Sequence, residues 1–299
     1  MDLEEALRRV PCLAGALSID ELTGGLTNRN VKVTTAAGAF VVRLSSNESG
    51  LLAVDRDLEF ANSQHAADAG VGAQVMDYLP GQGVLVVGFI EGTTFTDADV
   101  ALESNWPRIA DACRRLHQGP RFENGFDMFD IQQRYLTVVT DRGFRLPAGY
   151  LDHMPTVERL RSALAAHSDP TVPCNNDLLA GNFIDTGDQL RLIDYEYSGN
   201  NDPCFELGNI WSEAGLPLEA LDELVSHYYG ERRPEMVARA RLMGLMSKYG
   251  WTLWASIQDG VSTIDFDFWG WGMEKYERAV AEFGSPSFNR LIAEAVAPH

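Results

Sequence analysis

The sequence predicts an α+β protein in which a strand-rich N-terminal part precedes a mainly helical C-terminal part. Residues 39–44 and 84–90 are short apolar runs of the kind that form buried strands, and the second run indicates a central strand. After Ile90 the spacing of apolar residues changes to the period of amphipathic helices. A hairpin signal appears later, between Asn182 and Ile193.

The helices are predicted from this spacing and from residues that start or stop a helix. Residues 4–9 suggest a short amphipathic helix that Pro11 ends. Residues 55–69 suggest a second helix that ends at Gly70. In the C-terminal part, the predicted helices span residues 108–117, after Asn105 and Pro107, and residues 129–140 and 156–167.

Composition limits the class of protein. The chain has 299 residues, 45% of them hydrophobic, which is enough for one large or two modest cores. Its formal charge of -19 argues against a nucleic-acid surface and against an anionic membrane surface. The four cysteines are widely spaced and lack a zinc-ligand pattern, which favours reduced thiols. Because the sequence shows no signal peptide and no long apolar run, we expect a cytoplasmic protein.

Two features of the first 45 residues point to a phosphate site. Gly24 and Gly25 precede an alternating run, as in a turn whose backbone closely approaches phosphates, although a plain turn has the same glycines. Arg43 is the charged residue of the strand at 39–44. Burial of a guanidinium costs several kcal/mol unless it is paired, so we expect an anionic partner. The alternative is an outward-facing arginine at a strand edge.

The stretch from Val172 to Tyr197 organises the predicted site. Its two short apolar runs flank the turn residues 185–188, so that a hairpin centred near Asp188 would place Asn182 opposite Asp194. In the same register Asp185 would lie near Arg191 as a favourable charge pair.

The acidic and amide residues of this stretch match the needs of phosphoryl transfer. Asp177 precedes Asn182 by five residues, and Asp194 follows, which is the kinase catalytic-loop pattern of a base followed by two metal ligands. Oxygen donors of this type suit Mg²⁺. An ordinary surface hairpin with polar ends is the alternative.

The motifs NNDLLAGNFI and LIDYEYSGNNDPCFELGN resemble the choline/ethanolamine kinase family, within the group that includes aminoglycoside phosphotransferases. The resemblance implies a protein-kinase-like, two-lobed fold that uses ATP and Mg²⁺, with lobes at residues 1–90 and 91–299. It also implies that Asp177 is the catalytic base and that Asn182 and Asp194 are metal ligands. Asn175 replaces the histidine that usually braces this loop and retains a hydrogen-bond donor.

The same resemblance assigns a nucleotide site. Its GGLTN phrase corresponds to the nucleotide loop, the strand arginine holds phosphates together with a helix glutamate, and the backbone after the central strand receives adenine. The residues implied are Gly24, Gly25, Thr27, Asn28, Arg43, Glu59, Phe89 and Ile90.

The C-terminal third of the chain suggests a pocket for a cation. The motifs KYGWTLWASIQ and TIDFDFWGWGMEKYERA resemble the aromatic box of choline kinases, and aromatic faces bind desolvated cations. A buried aromatic core and a solvated acidic loop are the alternatives. The residues implied to bind substrate are Glu196, Tyr197, Glu213, Trp251, Trp254, Phe268 and Trp271.

These observations predict an ATP-dependent kinase for choline or a related amino alcohol such as ethanolamine. Choline is preferred at this point because its methyl groups would fill an aromatic box better. A kinase for another alcohol, such as an aminoglycoside or thiamine, and a catalytically weak pseudokinase are the alternatives. The expected partner is a small cationic alcohol. The sequence is also compatible with a homodimer.

Overall fold

A computed structural model of the chain describes residues 2–22, 25, 27–45, 50–166 and 170–297. Gly24 and the predicted helix end at His167 lie outside the described residues. The strands are β1 Ser18–Leu22, β2 Asn28–Thr35, β3 Gly38–Ser45, β4 Val75–Leu79, β5 Val84–Gly88, β6 Thr93–Thr94, β7 Val172–Cys174, β8 Phe183–Asp185, β9 Leu190–Leu192 and β10 Gly199–Asn201. The helices are α1 Leu3–Arg9, α2 Arg56–Asp68, α3 Asp97–Val100, α4 Trp106–His117, α5 Met128–Arg142, α6 Met154–Ala165, α7 Pro203–Glu213, α8 Leu218–Tyr229, α9 Pro234–Val261, α10 Phe268–Phe283 and α11 Phe288–Ala295.

The N-terminal strands form one antiparallel sheet in the order β1-β2-β3-β5-β4. The run at 84–90 was predicted to be a central strand, and β5 does lie between β3 and β4, although it ends at Gly88. Alternate residues of β3, including Val42 and Leu44, enter a core beneath this sheet. Arg43 therefore points to the opposite face, toward helix α2.

Helix α2 connects the sheet to the rest of the molecule. The Asp55 side chain accepts hydrogen bonds from the backbone N–H groups of Asp57 and Leu58, which satisfies donors that a helix start leaves free. The helix buries a polar face that includes Glu59 and Asn62. Its Ala66 packs into the large hydrophobic core of the helical part. That core therefore includes residues that precede Ile90. The division into lobes at Ile90 accordingly remains a prediction.

The helical part is built around the 28-residue helix α9, which packs against α5, α7, α10 and α11. Helices α7 and α9 meet where Gly208 faces Gly244. A Cβ atom added to Gly208 would lie 2.0 Å from the carbonyl oxygen of Ala240, so this close approach requires glycine. The contact fixes the aromatic residues of α9 relative to the acidic end of α7.

The hairpin of β8 and β9 differs from the prediction by one residue of register. Phe183 lies opposite Leu192, and the Ile193 N–H donates to the Asn182 carbonyl, so Asn182 faces Ile193 instead of Asp194. The predicted Asp185–Arg191 pair was also wrong. Asp185 receives two hydrogen bonds from Arg108 of α4, at 2.8 and 2.5 Å.

Arg191 instead donates to backbone carbonyls of Val71 and Gly72, and so ties the hairpin to the segment after α2. Within the described ranges, no helix has both the length and the apolar character needed to cross a bilayer.

Candidate active site

The loop after β7 carries Asp177 and is held by its own amides. Asn176 has a left-handed backbone with φ of 69°, and its Nδ2 donates to the Tyr197 carbonyl at 3.0 Å. The Nδ2 of Asn182 donates to the Asp177 carbonyl at 2.7 Å, which closes the loop. This bond leaves the amide oxygen of Asn182 available as a ligand.

Asn175 braces this loop in the way expected from its amide. Its Nδ2 donates to the carbonyls of Ile193 and Asp194 at 3.1 and 2.8 Å, and its Oδ1 accepts the Asp177 N–H at 3.1 Å. One side chain therefore joins the loop of Asp177 to the segment of Asp194.

A buried glutamate on α7 also holds this loop, and no role was assigned to it from the sequence. The buried Glu206 of α7 accepts the backbone N–H groups of Asn175 and Asn176 at 2.9 and 2.7 Å. His117 lies 3.5 Å from Glu206 and 3.6 Å from the Cys174 sulfur. These three residues are far apart in sequence, so a search for closely spaced cysteine and histidine ligands does not find them.

Asp194 adopts a strained conformation next to Arg43. Its φ of 66° is in the left-handed region, which non-glycine residues seldom occupy outside functional sites and turns. Its Oδ1 lies 2.9 Å from Nη2 of Arg43. Burial raises the pKa of Asp194 to about 6, although the Arg43 charge acts in the opposite direction.

Arg43 has the anionic partner that its burial required. Its guanidinium contacts Glu59 on α2, and Glu59 is also bound by Arg56 at 2.6 Å. The participation of Arg56 was not foreseen, because in the sequence it is only a charged residue in the first turn of a predicted helix. Two buried cations thus share one carboxylate, and each also contacts an acid of the C-terminal part.

Glu196 lies in this charged network. Its carboxylate accepts hydrogen bonds from Thr27 Oγ1 and Asn28 Nδ2, both at 2.9 Å, and from Arg56 at 3.0 Å. Burial raises the pKa of Glu196, but the charges of Arg43 and Arg56 outweigh burial and hold it below its ordinary value. Its contacts are with the nucleotide-loop residues, whereas the sequence had assigned it to the substrate.

A cavity of about 560 Å³ opens beside this network. Its size suits a small ligand or cofactor. Among the residues that line it are seven that the sequence had assigned to nucleotide or metal: Gly25, Arg43, Glu59, Phe89, Ile90, Asn182 and Asp194.

One of the backbone groups that line the cavity after β5 is already hydrogen-bonded within the protein. The Phe89 N–H donates to the Ala39 carbonyl at 3.0 Å, so it is not free to meet an adenine ring. Ile90 lies beyond the strand and lines the cavity with its neighbour. An adenine contact at this edge would therefore need a backbone group other than the Phe89 N–H.

The predicted aromatic residues form one cluster around Tyr197. Trp251 lies edge-on to Tyr197 with ring centroids 4.9 Å apart, and Trp254 Nε1 donates to the Tyr197 hydroxyl at 2.8 Å. Phe268 and Trp271 of α10 pack edge-on against Trp254, at 5.8 and 5.6 Å. We call these five residues the ring cluster.

Glu213 borders the ring cluster and is paired within the protein. Its carboxylate is bound by the Lys275 ammonium, which also lies 4.0 Å from the centroid of the Trp271 ring. Lys275 was not singled out from the sequence. The protein thus supplies a cation of its own to the acid and the ring that were expected to bind substrate.

Asp177 lies within electrostatic range of Asp194, which lines the cavity, and of Glu213, which borders the ring cluster. Burial, followed by the charges of Glu213 and Asp194, raises the pKa of Asp177 well above its ordinary value, while Lys275 lowers it. A carboxylate with a raised pKa is a stronger base, which is useful for accepting a hydroxyl proton.

The donor set of the cavity fits Mg²⁺. Asn182 and Asp194 offer an amide oxygen and a carboxylate to the same space, and hard divalent cations prefer such oxygen ligands. The side chain of Asp194 stays 26% exposed beside the cavity, so it is accessible to an ion, and burial outweighs the charge of Arg43 in setting its raised pKa.

Comparisons with known proteins agree with this geometry. The choline/ethanolamine kinase family model matches residues 19–225. The chain is 32% identical to a choline/ethanolamine kinase family protein from Mesorhizobium loti, whose crystal structure matches 99% of both chains with a TM-score of 0.85. It is 26% identical to ethanolamine kinase 1 of Mus musculus, over 88% of this chain and 83% of that protein.

A more distant structure identifies the wider fold. The GDP complex of aminoglycoside 2'-phosphotransferase-IIIa is 14% identical, with a TM-score of 0.63 over 92% of this chain and 96% of that one. The fold is thus protein-kinase-like, as the resemblance implied, and the chain belongs to the choline/ethanolamine kinase family of phosphotransferases.

Proposed function

We propose that this protein transfers the terminal phosphoryl group of ATP to the hydroxyl of a small amino alcohol, choline or ethanolamine. The observation that supports this most is the position of Asp177. Its carbonyl accepts a hydrogen bond from Asn182, which lines the cavity, and its carboxyl lies within electrostatic range of Glu213 beside the ring cluster. A base at this place can act on an alcohol while its phosphate donor occupies the cavity.

Each group around the cavity has a role in this reaction. Arg43, fixed by Glu59 and Asp194, would position the phosphates, and Asn182 and Asp194 would hold Mg²⁺. When bound, the ion neutralises charge on the transferring phosphoryl group. Asp177 would accept the hydroxyl proton as the alcohol oxygen bonds to phosphorus and the bond to the ADP oxygen breaks.

Glu196 would hold the phosphate loop in place. It joins Thr27 and Asn28 to the segment of Asp194, so the loop and the metal site move together. The brace by Asn175 supports catalysis over a pseudokinase, because the amide makes the bonds that orient Asp177.

The ring cluster would receive the nitrogen of the acceptor. Aromatic faces in a desolvated site each contribute ~1–2 kcal/mol toward binding a cation. Three such faces therefore give roughly 3–6 kcal/mol, near the ~4 kcal/mol of millimolar binding. That affinity suits a small metabolite.

The wider setting is inferred from charge and thiols. Cys12, Cys113 and Cys174 form no disulfide in the structure, which supports a reducing, cytoplasmic location. The charge of -19 disfavours nucleic acid and anionic membranes as partners. Assembly as a homodimer stays a prediction.

The test is ADP release with ATP and Mg²⁺ across ethanolamine, choline, thiamine and an aminoglycoside, with the phosphorylated product identified by mass spectrometry. We expect phosphorylation of ethanolamine or choline. Turnover of only thiamine or the aminoglycoside would reject the acceptor, and ligand binding without any turnover would reject the kinase.

A further inference from the structure

The pair formed by Glu213 and Lys275 closes one side of the ring cluster. Glu213 is the last residue of α7 and Lys275 lies on α10, and their side chains are only 4% and 10% exposed. The Lys275 ammonium sits on the Trp271 ring, 4.0 Å from its centroid. The negative charge of Glu213 and one face of Trp271 are therefore already engaged by a cation of the protein.

One oxygen of the same carboxylate is left without a partner. Lys275 binds Oε2 of Glu213, whereas the buried Oε1 receives no hydrogen bond from the described part of the chain. A buried acceptor in this state is costly, so a donor from a ligand would stabilise it. The carboxylate lies within electrostatic range of Asp177, because burial and then the charge of Glu213 raise the pKa of Asp177.

The two functional groups of an amino alcohol suit these two acids. Only two carbons separate the hydroxyl from the nitrogen, so an alcohol held at Asp177 keeps its nitrogen within the same region, where the charge of Glu213 acts. At that point the available protein group is a hydrogen-bond acceptor whose charge Lys275 has offset.

We propose that the Glu213–Lys275 pair selects an acceptor whose nitrogen still carries a hydrogen, and disfavours a quaternary ammonium. This inference rests on the proposed function and deepens it. An N–H group can satisfy Oε1 of Glu213, whereas a trimethylammonium group presents only methyl groups and leaves that oxygen unbonded. The preference for choline expected from the rings alone is thereby reversed.

A methylation series separates hydrogen bonding from size. Ethanolamine, its N-methyl and N,N-dimethyl derivatives, and choline all carry one positive charge at neutral pH. Each step adds one methyl group, but the last N–H disappears only at choline. We expect kcat/KM to change by less than about threefold at each of the first two steps and to fall about tenfold or more at the last.

Lys275→Met tests the role of the pair in this selectivity. Removing the ammonium frees the full charge of Glu213 and the face of Trp271 for a quaternary head group. The ratio of kcat/KM for dimethylethanolamine over choline should then fall toward one. Lys275→Arg keeps the cation and should keep the ratio, which distinguishes selectivity from a general loss of packing.

Several outcomes would overturn the inference. Use of choline at least as efficiently as dimethylethanolamine by the unaltered protein would do so, and so would an equal loss for both acceptors in Lys275→Met. If that variant does not fold, the series on the unaltered protein decides alone.

Failure of the proposed function would appear differently, as no phosphorylated product from any of the four alcohols. Calorimetric titration with dimethylethanolamine and choline would then still measure the selectivity. Equal affinities in that titration would refute it, and tighter binding of dimethylethanolamine would support it.

Discussion

The two ends of the candidate active site are built from different forces. At the nucleotide end, buried charges pair with each other: Arg43 and Arg56 share Glu59, and each reaches a further acid. At the acceptor end, packed rings dominate, and buried polar atoms such as Glu213 Oε1 and Trp251 Nε1 lack hydrogen-bond partners among the described residues. The first end holds its charges in pairs before any ligand arrives, although the buried Oδ1 of Asn30 there also lacks a partner among the described residues, while the second end leaves an oxygen of a buried carboxylate for a ligand to satisfy.

This difference indicates how each end recognises its ligand. A network of paired charges beside an open cavity would offer fixed positions for phosphates. The triphosphate group is the same in every nucleoside triphosphate. A ring cluster with an unsatisfied acceptor responds to the shape and hydrogen bonding of the head group. Variants at the two ends should therefore affect different kinetic constants.

The largest effect is expected between the two ends, at Asp177. Asp177→Asn removes the base but keeps the backbone bond to Asn182, so kcat should fall about 10³-fold with little change in ATP binding. Asp188→Asn is the matched control, because Asp188 is an exposed carboxylate in the turn of the following β8–β9 hairpin. Steady-state kinetics and ATP titration measure both. Retained turnover in Asp177→Asn would exclude Asp177 as the base.

A smaller, nucleotide-specific effect is expected at Glu196. Glu196→Gln weakens the charged contacts to Arg56 and the loop residue Asn28, so the KM for ATP should rise roughly tenfold or more while the acceptor KM stays nearly constant. The control is Glu21→Gln, which removes an exposed ion pair with Arg29 in the N-terminal sheet and should leave both KM values unchanged. A rise confined to the acceptor KM would return Glu196 to the substrate site.

The metal site should respond to pH through Asp194. Burial raises its pKa to about 6, and a protonated carboxyl cannot bind the ion, so the apparent affinity for Mg²⁺ should weaken as pH falls. Between pH 7 and pH 5 we expect about a tenfold rise in the Mg²⁺ concentration that gives half-maximal rate. Mg²⁺ titrations of activity at fixed ATP measure this. An unchanged requirement over that range would contradict the assignment of Asp194.

The smallest effect belongs to the ring cluster. Trp254→Ala removes one aromatic face and the bond to Tyr197, and should raise the acceptor KM by several-fold to about tenfold without altering the KM for ATP. Trp269→Ala is the control. That tryptophan lies on α10, next to Phe268 in sequence, but its ring stacks on Arg145. If both variants give the same acceptor KM, the Trp254 ring contributes only to core packing and not to acceptor binding.

Local patterns in the sequence predicted much of the fold. The buried strand at 84–90, the helix at 55–69 and the hairpin at 182–193 each follow from nearby residues, through alternation, capping and turn chemistry. The hairpin register was off by one, because the tip closes between Asp185 and Leu190 and is fixed by Arg108 from a distant helix.

The site was predictable where motifs carry it and not where partners come from distant helices. Asp177, Asn182 and Asp194 lie within 18 positions and form a recognisable spacing. Arg56, Glu206 and Lys275 gave no such signal, since a charged residue on a helix has the same appearance in sequence whether it faces solvent or a buried acid.

The sequence by itself determined those strands and helices that local patterns mark, the spacing of Asp177, Asn182 and Asp194, and the family. The tertiary structure alone decided which charges meet: Glu196 with the nucleotide loop, and Lys275 with Glu213. The physical reason is that hydrogen-bonding pattern and hydrophobic period act over a few residues, whereas an ion pair depends on how separate helices pack. At Glu213 that packing sets the pairing with Lys275 on which the proposed selectivity rests.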